Sequence, residues 1–190
     1  YLTFEIMSGK YAYNFVRVQY VDSVAQLDQV DKAGNAYLLK TTGNLHASTG
    51  NRMWGLVKDA TYAPEETNYE DLRRVIYYNY SDAGSDDFWR FRERVKKAME
   101  ASGYNHRMGV WYCQSGCDGN VVMVRFHHKS FAGQMEDYGK PLGDMIAKYN
   151  EMYGKDAYEQ DGDKVDASLL EYGRKIRHYK FRPEMSSPRN

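Results

Sequence analysis

The sequence predicts an α+β fold, a ferredoxin-like antiparallel sheet of order βαββαβ with one further strand and C-terminal helices. Three observations predict it. Two runs, Leu72–Tyr80 (LRRVIYYNY) and Asn120–His128 (NVVMVRFHH), are rich in β-branched and aromatic residues and adjoin turn residues. Asp118-Gly119, just before the second run, is a strong two-residue hairpin signal. Between the runs, Phe88, Phe91, Val95, Ala98 and Met99 recur on one helical face.

In chain order, residues 14–22 (NFVRVQYVD) alternate as a strand. Residues 24–43 read as a helix through Val24, Leu27, Val30, Leu38 and Leu39, weakened at Gly34 and ending near Gly43. Residues 44–51 are a polar loop, 52–62 a second strand and 63–71 a turn before the strand at 72–80. Ser85 is suited to cap the next helix, Asp86 and Asp87 suit its dipole, and Gly103 ends it. A strand over 108–117 meets the hairpin turn. Counting back from a two-residue turn pairs Cys117 with Asn120, Cys113 with Val124 and Trp111 with Phe126. One face then carries Trp111, Cys113, Val122, Val124, Phe126 and His128, and the other Val110, Tyr112, Met123, Arg125 and His127.

Ser130 caps a helix with Met135, Tyr138, Leu142, Met145, Tyr149 and Met152 as its stripe, kinked or restarted at Pro141. Residues 155–166 read as an acidic loop. Asp166 then caps a last helix with Leu169, Tyr172, Ile176 and Tyr179 as its apolar face, so Arg174, Lys175, Arg177 and Lys180 suit a helix C-terminus. The domain plan is an N-terminal extension (1–12), one domain (13–182) and a loose tail (183–190). An alternative parse makes 13–71 and 72–153 two halves of a repeat.

Composition narrows the function classes. The 190 residues are 42% hydrophobic and 27% charged with zero net charge, ordinary for a globular chain. A zero balance and the missing Lys/Arg-Gly-aromatic strand motif argue against nucleic acid. No window of about 18 apolar residues exists to cross a membrane. The chain begins at Tyr1 and not at Met, which reads either as the processed end of an exported protein, the reading favoured, or as an artificial boundary. No zinc helix motif, P-loop, dinucleotide fingerprint or G-x-S-x-G is present. Asp161, Asp163 and Asp166 fail the calcium-loop pattern, because Asp166 stands where Gly is required. Cys113 and Cys117 would be separated by roughly 13 Å on one extended strand, too far to bridge unless Gly116 bends it. Two free thiols are therefore expected.

Chemistry is left to an aromatic sheet with polar groups among the rings. Tyrosine, at 18 copies, is the compositional outlier and suits pocket walls and interfaces. The candidate catalytic residues are His127, His128 and Arg125. The candidate ligand-binding residues are Trp54, Tyr78, Trp111 and Tyr112. A histidine could act as base while Arg125 holds developing negative charge. His127 and His128 are neighbours on a strand, so they point to opposite faces.

The strand FVRVQYV, the long helix after it, MWGLV, VIYYNY and the late KIRHYKFRPEM together resemble the dimeric α+β barrel superfamily, near the NIPSNAP-like and antibiotic-biosynthesis-monooxygenase-like proteins. The resemblance covers about residues 13–182. It implies a homodimer enclosing a pocket for a small apolar or aromatic ligand, and cofactor-independent chemistry of the monooxygenase or isomerase type. A haem held by a histidine is the cofactor it would allow; no other cofactor or metal is expected. The rival reading is a non-enzymatic stress or interaction domain whose Tyr-rich faces serve assembly.

Overall fold

The computed structural model describes residues 1–29, 32–43, 47, 50–64 and 71–187. Val30, His46, most of the expected loop at 44–51, most of the turn at 63–71 and the end of the tail lie outside them. Seven strands form one antiparallel sheet: β1 Leu2–Ile6, β2 Phe15–Val18, β3 Met53–Leu56, β4 Leu72–Tyr80, β5 Met108–Ser115, β6 Asn120–His128 and β7 Leu169–Phe181. Their order across the sheet is β2-β1-β7-β4-β6-β5-β3, and the sheet curls into a half-barrel. The helices are α1 Lys32–Thr42, α2 Ser85–Ser102, α3 Phe131–Asp137, α4 Lys140–Tyr153 and α5 Ala157–Ser168.

The ferredoxin-like unit is present, but it begins at β4. The run β4-α2-β5-β6-(α3 to α5)-β7 is βαββαβ, and its strands lie in the order β7-β4-β6-β5. The first 71 residues supply the outer strands. β3 adds to β5 at one edge, and the β1-β2 pair adds to β7 at the other. Residues 1–12, read as an extension, therefore hold a strand flanked on both sides.

One face of the sheet is covered by α2, α4 and α5. Ile76, Tyr78 and Tyr80 of β4, Met108 and Val110 of β5, and Val122 and Val124 of β6 meet Phe88, Phe91, Val95, Ala98 and Met99 of α2. The predicted stripe of α2 is thus the buried one, each large side chain stabilising by about 1.5–3 kcal/mol. Gly84, not Ser85, is the cap residue, and Gly103 closes the helix at φ 64°. Ser130 does cap α3, accepting from Gly133 N–H at 3.1 Å, and the helix restarts at α4 with Pro141 in its first turn.

Three expectations are corrected. First, the presumed acidic loop is α5. Its Asp161 is buried and accepts from Tyr149 (2.7 Å) and Arg94 (2.6 Å), tying α5 to α4 and α2. Second, the presumed last helix is the 13-residue β7. Its apolar spacing imitates a helix, but β1 and β4 flank it on both sides, and two hydrogen-bonded ladders override local propensity. Third, Cys113 and Cys117 form a disulfide with Cα atoms 6.3 Å apart, because Gly116 turns the chain at φ 82° and ends β5 at Ser115. The hairpin loop is therefore longer than two residues. Tyr112 pairs with Val122 and Trp111 with Met123, three positions from the register expected. An odd shift turns every side chain of β5 to the other face relative to β6.

Candidate functional site

That flip defines the second face of the sheet. Paired residues share a face, so the ladders set out a grid. One row runs His127, Arg73, Tyr179, Ile6. The next runs Gly109, Arg125, Val75, Arg177. A third runs Trp111, Met123, Tyr77, Lys175. In these three rows four side chains are cationic (Arg73, Arg125, Lys175, Arg177) and none is acidic. The chain as a whole is neutral, so these three rows are richer in cationic side chains than the chain average.

Arg125 sits at the centre. It is only 8% exposed. Its guanidinium stacks on the Trp111 ring at 4.2 Å and donates through Nη1 to Tyr20 Oη at 3.0 Å. Among the described residues it makes no ion pair, and its buried Nε has no acceptor. The seat for Trp111 is Gly109, two residues back on the same strand face. A Cβ there would lie 2.0 Å from the indole Cη2, so only glycine lets the ring lie flat on the strand. Trp54 joins the wall through Tyr77, with ring centroids 6.0 Å apart, and Tyr77 and Tyr179 share a hydroxyl hydrogen bond at 2.8 Å. Arg177 lies over the rings of Tyr11 (4.9 Å) and Tyr77 (5.5 Å).

His127 is 2% exposed on this face. Burial first, then the guanidiniums of Arg73, Arg125 and Arg107, hold its imidazole far below the ordinary histidine range. It is neutral at any physiological pH.

His128 points the other way, towards the helices. Its Nδ1–H donates to Asp137 Oδ2 at 2.5 Å, and His106 Nε2 meets Asp137 Oδ1. An ionised carboxylate only accepts, so the proton lies on His128 Nδ1. Burial lowers the His128 pKa despite Asp137. At the start of α3, Gln134 Oε1 meets His178 Nε2 at 2.9 Å, and burial, with Arg74, lowers the His178 pKa as well.

The structure thus places Arg125, His127, Trp111 and Trp54 on one face of the sheet, Arg125 against Trp111 and Trp54 against Tyr77. It does not bring Tyr78, Tyr112 or His128 to them. Tyr78 packs against Phe88 and the Arg92 guanidinium in the helix-side core, and Tyr112 is exposed on the outer face over Gly55. Arg73, Arg177, Tyr77 and Tyr179 were missed. The signal for the first was present, since Arg73, Val75 and Tyr77 alternate along LRRVIYYNY. Arg177 and Tyr179 were hidden by reading β7 as a helix.

Access to this face involves the segment between β2 and β3. These strands lie at opposite edges, and on the way the chain places the Tyr20 hydroxyl on Arg125. The 3₁₀ turn at Val24–Asp28 buries nothing, and every described side chain of α1 is exposed, Tyr37 and Leu39 included. A shallow depression of about 210 Å³ is bordered by Tyr77, Arg52, Lys175, Asp118 and Glu171, with Arg125 not among its lining residues. Among the described residues no three His, Cys, Asp or Glu are grouped to hold a metal ion, and no helix is long and apolar enough to cross a membrane.

The three depressed histidines give the fold a pH dependence. Each binds a proton more readily in the unfolded chain, near the ordinary value of about 6.5, than in the folded one. Stability is therefore retained above that value and lost as pH falls through it. His127 alone should cost about 2 kcal/mol at pH 5 relative to pH 7. Urea midpoints at the two pH values measure this, and His127→Gln should flatten the difference.

No known protein family and no curated protein matches the chain. Among solved structures, one described as "Crystal structure study of anthrone oxidase-like protein" is similar at a TM-score of 0.48 and 11% identity, over 95% of this chain and 76% of that one. A likeness at that level carries no argument about activity.

Proposed function

We propose that this chain binds a small aromatic or apolar molecule on the inner face of its half-barrel. The observation that carries the reading is the wall of rings on that face, Trp54, Tyr77, Trp111 and Tyr179, set around polar groups and crossed by a segment whose described helical side chains are exposed. Apolar walls with a few convergent polar groups are the usual pattern of a ligand site. Exposed, loosely packed segments open at low cost, so the Tyr20 contact can give way to a ligand.

Binding is favoured over proton abstraction. A base must accept a proton, and protonating His127 would place a third kind of cation among guanidiniums in a buried site. His128 faces the other side of the sheet and is committed to Asp137. His127 is better suited to hydrogen-bond a ligand as a neutral imidazole. Arg125 remains the group that would stabilise negative charge on it.

The test is calorimetric titration with a neutral bicyclic aromatic such as 2-naphthamide. A Kd of about millimolar or tighter is expected for a molecule of this size. Trp111→Ala should weaken it, and Tyr112→Phe, on the outer face, should leave it unchanged. Equal weakening by both, or no binding by the parent protein to this probe or its acid analogue, would refute the site.

A further inference from the structure

Arg125 is a buried cation stacked on an indole, with no carboxylate partner among the described residues. Burying a lone charge costs several kcal/mol, and natural folds supply a counter-charge from protein or ligand. Here the nearest charged neighbour in the same row is a second cation. Val75 lies between Arg125 and Arg177 in the same row, which puts the two Cα atoms about 10 Å apart across two strand spacings. Arg73 lies two residues along β4 on the same face, with its guanidinium over the Phe4 ring at 5.7 Å. The grid places no Asp or Glu among them. The polar partner that Arg125 does have, Tyr20, is a neutral hydroxyl, and its own side chain is exposed.

We infer that the ligand of this face is an aromatic carboxylate, its ring stacked among Trp111, Tyr77 and Tyr179 and its carboxylate held by Arg125. This rests on the site proposed above and names the class of its ligand. The free edge of the Arg125 guanidinium includes Nε, which is buried and lacks an acceptor. Together with a terminal nitrogen it offers the parallel two-donor fork that matches a carboxylate, whereas a lysine would offer a point charge. Trp111 holds the plane of that fork in place from behind. Neutral His127, one row away, can hydrogen-bond a ring substituent without competing for the anion.

The experiment compares 2-naphthoate with 2-naphthamide, which share shape and differ in charge, by calorimetry near pH 7. The carboxylate is expected to bind about tenfold more tightly or better, as a charged hydrogen bond worth about 1.5–3 kcal/mol requires. Its affinity should fall with added NaCl while that of the amide does not. Arg125→Gln should bring the ratio of the two affinities to about one, and Arg125→Lys should retain only part of it. If Arg125→Gln does not fold, by circular dichroism, the lysine variant and the salt dependence decide. Equal binding of the two probes by the parent protein overturns the anion inference and leaves the site standing. Failure of both probes to bind overturns the site itself.

Discussion

Replacing Asp137 with alanine is expected to destabilise the protein by about 3 kcal/mol, breaking a buried charged contact shared by two histidines. At this chain length that corresponds to a fall in Tm of roughly 6–12 °C. The carboxylate is 5% exposed and receives both His128 and His106, so its loss leaves a buried Nδ1–H without an acceptor and removes the charge that faces His106. The damage should be local at first. Asp137 ends α3, which reaches β6 and β7 through His128 and, at Gln134, through His178. Hydrogen exchange should show α3 losing protection before α2 does. Asp137→Asn keeps an acceptor oxygen and should recover part of the loss. A Tm within 2 °C of the parent for the alanine variant, roughly 0.5–1 kcal/mol, would mean the cluster is not structural.

The second large effect is expected at Gly109. An alanine Cβ would fall within 2.4 Å of two indole carbons of Trp111. The ring must leave its seat, and Arg125 then loses the surface it stacks on. Overpacking of this kind costs about 1–3 kcal/mol. Binding of both naphthyl probes should drop together, because the aromatic wall and the guanidinium are displaced at once. The control is Gly143→Ala in α4, where an added Cβ meets nothing. That change should raise stability by roughly 0.5–1 kcal/mol, since alanine restricts the unfolded chain and favours helix. Opposite signs for the same chemical change, read as urea midpoints, would locate the effect in the Trp111 seat and not in glycine replacement as such.

Much of the scaffold is legible in local chemistry. β4 and β6 follow from runs rich in β-branched and aromatic residues, α2 from its stripe and Gly103, and the α3-α4 break from Ser130 and Pro141. Local rules fail where distant pairing decides. Lys175, Arg177 and Lys180 look like a solvated helix end until β1 and β4 are known to flank them. β1 could not be read at all, since five residues near a terminus show little period without a neighbour. The site was half legible. Arg125, His127, Trp54 and Trp111 come from residue type alone, but which of them share a face depends on a register that strand pattern does not carry.

The disulfide bears on that register in a further way. In the pairing a two-residue turn would give, Cys113 and Cys117 lie extended on one strand at roughly 13 Å, beyond the reach of a bridge. The bond as formed, with Cα atoms 6.3 Å apart, excludes that pairing. Oxidation therefore acts as a proofreader of the β5-β6 hairpin. A chain that closes its bridge cannot take up the two-residue-turn register, in which the indole would point to the helices, whereas a reduced chain is free to sample it. What looks like a small staple at a loop tip thus removes one of the alternatives that would send the tryptophan to the other side of the sheet.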